Sequence, residues 1–142
     1  MNVRAWIAVA TSMVSNGLPT VLVVDDEPQV VWVIEFSLQG EGYETLTAHD
    51  GFAALRIAMD SQPDLILLDI WMPGMGLSVA ERLNELKLRI PVIILTASGR
   101  RGVWAAAQEV GASAFIRKPY EPRQLLEIIE KTLSSPTSNS AV

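Results

Sequence analysis

The sequence predicts an α/β protein, a doubly wound parallel sheet of five strands with five helices on its faces. Two observations predict it. From Thr20 onward, short aliphatic runs alternate with amphipathic stretches, as repeating strand–helix units require. One run, Leu65–Leu68, is aliphatic without a break, which suits a strand covered on both faces better than an edge strand. The length of 142 residues matches about one domain.

Each element has a local reason. Val21–Val24 is β-branched and aliphatic, and it meets Asp25-Asp26-Glu27 at once. Pro28 suits the first turn of a helix, where its missing N–H costs nothing, and that helix runs to about Gln39 with Gly40 and Gly42 ending it. Glu44–Ala48 reads as the second strand. Asp50 is placed to cap a helix over Gly51–Asp60, with Leu55 and Ala58 on one side and Pro63 beyond its end. Leu65–Leu68 is the third strand and ends in Asp69. Leu77–Leu88 carries Leu77, Ala80, Leu83 and Leu86 at helical spacing. Pro91–Thr96 is the fourth strand, Arg101–Val110 a helix closed by Gly111, and Ala112–Arg117 the fifth strand. Pro122 begins the last helix, whose apolar stripe is Leu125, Leu126, Ile129 and Leu133.

Composition excludes whole classes of function. Apolar residues make up 49% and charged residues 19%, too apolar for a disordered chain. No cysteine is present, which removes disulfides, thiolate metal sites and cysteine nucleophiles, and fits a cytoplasmic protein. The single histidine, His49, rules out multi-histidine metal sites. Sixteen acids against eleven bases leave a net charge of −5, so no direct nucleic-acid binding by this chain is expected. Residues 1–19 form an N-terminal extension. Its apolar stretch Ala5–Val14 is too short for a bilayer, which takes about 20 residues, so no membrane association is expected. The small-residue site Ala8-Val9-Ala10 comes too early for a cleaved signal. The segment reads as a helical extension packing on the domain or another chain, or as a misassigned start of translation. Residues 20–134 form the domain, and 135–142 a disordered tail or the start of a linker.

In such a sheet, functional groups gather at the carboxyl ends of the strands. The first strand ends at Asp25, Asp26 and Glu27, the third at Asp69, the fourth at Thr96 and the fifth at Lys118. Crowded carboxylates repel unless a cation sits among them. Hard oxygen ligands favour Mg²⁺. Lys118 and Thr96 then complete a pocket for an anion beside the metal, and a phosphoryl group fits it.

These residues resemble the receiver domain of two-component response regulators. The matching features are Val21-Leu22-Val23-Val24-Asp25-Asp26-Glu27-Pro28, Leu65–Asp69 followed by Met72-Pro73-Gly74, Val92–Ala97, Gly111-Ala112, and Lys118-Pro119-Tyr120. Each piece alone is weak, but the set in this order and spacing is specific, and it spans about Thr20–Ser134. The resemblance implies a flavodoxin-like sheet in strand order 2-1-3-4-5. It implies that Asp69 is the phosphoacceptor, taking a phosphoryl group from a sensor histidine kinase or a histidine phosphotransfer protein. Asp26, Asp69 and the backbone carbonyl of Trp71 are then direct Mg²⁺ ligands, and Asp25 holds the ion through water. Lys118 pairs with the carboxylate and then with the phosphoryl group. Thr96 bonds a phosphoryl oxygen, and Phe115 is the switch aromatic that swings inward with it. The Lys118-Pro119 bond is cis in this family. A homodimer through the fourth helix, fifth strand and fifth helix is a further implied output, as is altered partner binding.

Three features depart from the family pattern. Only Gly76 stands between Met72-Pro73-Gly74-Met75 and Leu77, one residue short of the usual loop. Trp71, two residues after Asp69, is large enough to exclude water from the acyl phosphate, while Ala97 and Ser98, flanking the site after Thr96, are small. The first helix carries Val30, Val31, Trp32, Val33, Ile34 and Phe36, apolar around nearly its whole circumference, so that one stripe is core and the rest is covered by the N-terminal segment or exposed for a partner. Plainer roles compete elsewhere. Glu27 reads as a charge at a helix N-terminus, His49 as a loop residue, Trp32 and Trp104 as packing residues, and Arg100-Arg101 as a solvated helix start.

Two alternatives to the switch remain. One is a phosphate-independent scaffold that binds a partner. The other is an Mg²⁺-dependent phosphatase, which the Asp25-Asp26-Glu27 run disfavours because haloacid-dehalogenase-type enzymes need Asp-x-Asp after the first strand. No Gly-x-x-x-x-Gly-Lys-Ser/Thr and no Gly-x-Gly-x-x-Gly follows a strand, so no nucleotide fingerprint is present.

Overall fold

In the computed structural model, which describes residues 18–70, 76–97 and 101–134, five strands alternate with five helices. The strands are β1 (Thr20–Val24), β2 (Glu44–Ala48), β3 (Leu65–Asp69), β4 (Val92–Thr96) and β5 (Ala114–Arg117). The helices are α1 (Pro28–Gly40), α2 (Gly51–Ser61), α3 (Gly76–Glu85), α4 (Arg101–Glu109) and α5 (Pro122–Leu133). All pairings are parallel, and the order across the sheet is β2-β1-β3-β4-β5. That is the doubly wound, flavodoxin-like architecture expected. The readings placed on residues 1–17, 71–75, 98–100 and 135–142 lie outside the described residues. Among the described residues, no helix is long and apolar enough to cross a membrane.

Strand parity sorts the core into two layers. Successive side chains point to opposite faces of a sheet. Leu22 and Val24, Ile66 and Leu68, and Val92 and Ile94 join Ala54 and Ala58 of α2, Val79, Ala80 and Leu83 of α3, and Ala107 of α4. Val21 and Val23, Leu65 and Leu67, and Ile93 and Leu95 join Val31, Ile34 and Leu38 of α1 and Leu125 and Ile129 of α5. Every residue of β3 and β4 is buried, which is why Leu65–Leu68 shows no polar alternation. Each fully buried leucine or isoleucine contributes about 1.5–3 kcal/mol of transfer free energy.

Helix starts follow the local chemistry expected of them. Pro28 and Pro122 occupy first-turn positions of α1 and α5. The Asp50 carboxylate accepts from the Ala53 N–H at 2.8 Å and caps α2. The ends are more informative. In α1, α3 and α4 the same pair of reversed hydrogen bonds closes the last turn: Tyr43 and Gly42 to Leu38 and Gln39, Leu88 and Lys87 to Leu83 and Asn84, Ala112 and Gly111 to Ala107 and Gln108. Each needs a left-handed residue, which is Gly42 (φ 93°), Lys87 (φ 57°) or Gly111 (φ 83°).

These caps move several boundaries. The periodicity that reached Leu88 overshoots, because Lys87 turns left-handed and α3 stops at Glu85. Leu86 therefore leaves the apolar stripe and is exposed, and Val79 is buried in its stead. Gly42, rather than Gly40, makes the turn after α1. Ala112 and Ser113 belong to the turn after Gly111, so β5 begins only at Ala114. The circumference of α1 resolves too. Val31, Ile34 and Leu38 are core, whereas Trp32 (65% exposed) and Phe36 (71%) stack on each other outside it with ring centroids 5.8 Å apart.

Lys87 is a non-glycine residue in a conformation that costs an L-residue about 1–2 kcal/mol, and its side chain is exposed. Lys87→Gly should therefore raise stability by about 0.5–1 kcal/mol after the entropic cost of glycine. Lys87→Ala, which keeps the Cβ, should not. Urea midpoints at unchanged slope measure both; equal midpoints for Gly and Ala would show that the backbone carries no strain there.

Candidate functional site

The carboxyl edge of the sheet is assembled by register. Asp69, the last residue of β3, lies opposite Leu95, so Thr96 stands one residue beyond it on β4. Thr96 lies opposite Arg117, so Lys118 follows directly on β5. The ladder carries on past the strands: the Ile70 N–H donates to the Leu95 carbonyl (3.3 Å), and the Lys118 N–H donates to the Thr96 carbonyl (2.8 Å). Asp25, just past β1, donates its N–H to the Ala48 carbonyl at 3.2 Å. The Lys118–Pro119 peptide bond is cis, as the resemblance implies.

Three charged side chains meet there. Lys118 Nζ lies 3.3 Å from Asp69 Oδ2 and 3.4 Å from Asp25 Oδ2. Asp25, Asp69 and Thr96 are the buried polar residues of the described chain, and all three sit at this edge. Buried charges persist only when paired and hydrogen-bonded. Asp25 meets both conditions, since its Oδ1 accepts from the Glu27 N–H at 2.9 Å while Oδ2 faces the ammonium.

Among the described residues, two buried carboxylates face one ammonium here. Burial, followed by the nearby Asp69 charge, lifts the Asp25 pKa from 3.8 to about 6 against the pull of the Glu27 N–H and Lys118. For Lys118, burial opposes the charge, but Asp69 and Asp25 outweigh it and raise its pKa above the ordinary value. The Tyr120 hydroxyl is likewise raised, chiefly by burial.

A hard divalent cation fits this donor set. Asp25, Asp26 and Glu27 each offer a carboxylate oxygen within 4.8 Å of one another, with Asp25 buried and the other two exposed. A cation there would offset the mutual repulsion of these carboxylates. The trio includes Glu27, which the sequence placed beside Asp25 and Asp26 at the strand end and read more plainly as a charge at the start of α1. Glu27 does cap α1, through its backbone carbonyl, and makes no side-chain cap bond.

The remaining expected residues divide. Ala97 is exposed beside Thr96. Trp71 and Ser98 lie outside the described residues, and with them the shielding role and the backbone ligand expected of Trp71. Phe115 is half-buried against the α2–α3–α4 layer, and Trp104 packs on it with centroids 5.3 Å apart at 30°. Sequence reasoning missed one contact altogether. His49 Nδ1 lies 3.1 Å from the backbone carbonyl of Asp25. Its only signal was the register that places it after β2, opposite the end of β1.

Fold and site together define a doubly wound α/β domain with an acid–lysine cluster at the carboxyl edge of its sheet. The family model of the response regulator receiver domain matches residues 21–130. The chain belongs to that family. It is 38% identical over 106 residues to the alkaline phosphatase synthesis transcriptional regulatory protein PhoP of Bacillus subtilis, covering 74% of this chain and 44% of that protein. It is 41% identical over 117 residues to the phosphate regulon transcriptional regulatory protein PhoB of Pseudomonas aeruginosa, covering 80% and 51%. The chain thus spans about half the length of the curated relatives it matches. Among solved structures, the CheY-like receiver domain protein of Methanospirillum hungatei matches with a TM-score of 0.78 at 30% identity, over 82% of this chain and 94% of that one.

The raised Asp25 pKa has a stability consequence of definite sign. The folded state binds this proton more tightly than the unfolded chain, so the group's contribution is full below about pH 4 and lost as pH rises through 6. In metal-free buffer Asp25→Asn should be more stable than wild type by about 1–3 kcal/mol at pH 7.5. The gap should close towards pH 4. Urea unfolding of both proteins across that range measures it, and a gap independent of pH would deny the burial penalty.

Proposed function

We propose that this receiver domain accepts a phosphoryl group on Asp69 with Mg²⁺ bound, from the phosphohistidine of a sensor histidine kinase or histidine phosphotransfer protein in the cytoplasm. The observation that carries the reading is Lys118 Nζ, held 3.3 Å from Asp69 Oδ2 at a buried edge that also holds Asp25 and Thr96. A lysine so placed serves the carboxylate before transfer and the phosphoryl oxygens after it.

In the step proposed, an Asp69 carboxylate oxygen attacks phosphorus in line with the donor nitrogen. The O–P bond forms, the P–N bond breaks, and the donor imidazole leaves with the electron pair and takes up a proton. Asp26, Asp69 and the backbone carbonyl of Trp71 would hold Mg²⁺ directly and Asp25 through water; when bound, the ion supplies neutralising charge for the phosphoryl oxygens. Lys118 turns from Asp69 towards the new anion, and the Thr96 hydroxyl donates to one of its oxygens.

In making that bond Thr96 moves towards the phosphoryl group and vacates space into which Phe115 swings. Phe115 has no hydroxyl, so packing alone holds its inward state. Trp104, packed on Phe115 with its ring tilted, carries the change to α4. The output is altered partner affinity or homodimerisation through α4, β5 and α5, worth about 1–3 kcal/mol. The chain acts catalytically only on itself, through its own phosphorylation and dephosphorylation.

Acetyl phosphate with Mg²⁺ should add one phosphoryl mass to the wild type and none to Asp69→Asn. Lys118→Ala should be labelled at least about 100-fold more slowly, as for loss of one charge-stabilising donor. An acid-stable label on Asp69→Asn would place the acceptor elsewhere.

Beryllofluoride with Mg²⁺ should change hydrogen exchange across Trp104–Lys118. Phe115→Ala should lose much of that change while still being phosphorylated. Unchanged exchange in the wild type would favour the scaffold reading instead.

A further inference from the structure

The end of β1 is held by a bond that the sheet itself does not supply. In a parallel ladder, a residue whose N–H donates to one partner strand residue accepts at its carbonyl from the N–H two residues further along that strand. Asp25 donates to the Ala48 carbonyl at 3.2 Å, so the matching donor is the Asp50 N–H. Asp50 has already turned away. It is the N-cap of α2, its carboxylate is committed to the Ala53 N–H, and its carbonyl accepts from Ala54. The His49 imidazole occupies the vacant role, with Nδ1 at 3.1 Å from the Asp25 carbonyl. A carbonyl only accepts, so Nδ1 carries the hydrogen.

We infer that His49 is a positioning residue for the cation site, a side-chain donor that completes the ladder at Asp25. The inference rests on the reading of Asp25 and Asp26 as the metal-holding pair. The bond closes a short chain of constraints. His49 fixes the Asp25 carbonyl, Ala48 fixes its N–H, and the Glu27 N–H and Lys118 fix its carboxylate. The peptide unit whose oxygen His49 holds is the one that leads into Asp26. Asp26 is exposed, so the backbone preceding it has a large share in aiming its carboxylate. His49 therefore acts on Asp26 through that peptide plane and touches neither the ion nor the phosphoryl group. Partners of this outer kind matter because a site with few protein ligands tolerates little misplacement of any.

Leucine and asparagine separate the donor from the bulk it occupies. Both branch at Cγ as histidine does, and asparagine Nδ2 stands as many bonds from the backbone as His49 Nδ1. His49→Leu should bind Mg²⁺ about tenfold more weakly than wild type, the lower end of what losing an outer partner costs. His49→Asn should stay within about twofold. The affinity is read by titrating Mg²⁺ against tryptophan fluorescence. In metal-free protein, the Glu27 amide should exchange faster in His49→Leu than in wild type or His49→Asn, because its acceptor Asp25 is looser. Urea midpoints check that all three are folded. Wild-type affinity and Glu27 exchange in His49→Leu, or asparagine behaving like leucine, would overturn the role of His49. Asp26→Asn is the control on the site itself. If it binds Mg²⁺ as tightly as wild type, the metal reading and this inference fall together; if it loses binding while His49→Leu does not, only this inference falls.

Discussion

Two buried carboxylates sharing one ammonium is the constraint on which the rest of this structure depends. Neither Asp25 nor Asp69 is accessible enough for water to solvate it well, and Lys118 is, among the described residues, the cation in contact with both. Such an arrangement survives only if the backbone around it is rigid, since an ångström of relaxation would admit water or separate the charges. The rigidity comes from four parallel strand pairings whose registers bring Asp25, Asp69, Thr96 and Lys118 together at the carboxyl edge, Thr96 and Lys118 each one residue further along than the neighbour before it. A divalent cation or a phosphoryl group bound there would change that charge balance.

The two edges of the sheet are built differently. At the edge opposite the site, α1, α3 and α4 end in the same compact turn, each with a left-handed residue and a hydrophobic contact from the residue after it back to the helix: Tyr43 to Leu38, Leu88 to Leu83, Ala112 to Ala107. These turns spend their backbone groups locally and leave little to move. At the carboxyl edge the chain enters helices through extended caps, Glu27, Asp50 and Glu121. Polar backbone groups there remain available to side chains, as the Glu27 N–H is to Asp25 and the Asp25 carbonyl is to His49.

The layer that packs Phe115 is also the layer of small residues. Ala54, Ala58, Ala80 and Ala107 line it, where the opposite layer has Val31, Ile34, Leu38, Leu125 and Ile129. The aromatic pair Trp104–Phe115 is a bulky element at its β5 margin. The α1–α5 layer is packed by larger aliphatic side chains. Such an asymmetry suits a domain in which one face holds the sheet and the other face reports a change at its edge.

Much of this was legible in the sequence because it depends on short-range chemistry. The aliphatic runs, the proline and aspartate helix starts, and the acids and lysine directly following strands determined the fold class and named Asp25, Asp26, Asp69, Thr96 and Lys118 as neighbours at one edge. Helix ends were less legible, since a lysine can take the left-handed conformation when packing of Leu88 on Leu83 rewards it, and no pattern at Lys87 announces that. The faces of α1 were equally closed to sequence reading, because its residues are apolar all round and only the position of the sheet decided that Val31 is core and Trp32 is not. Two further features belonged to tertiary structure alone. The sharing of Lys118 between Asp25 and Asp69 required distances across three strands. The bond from His49 to the Asp25 carbonyl required the register of β1 on β2, a relation between residues 24 positions apart that no local periodicity encodes.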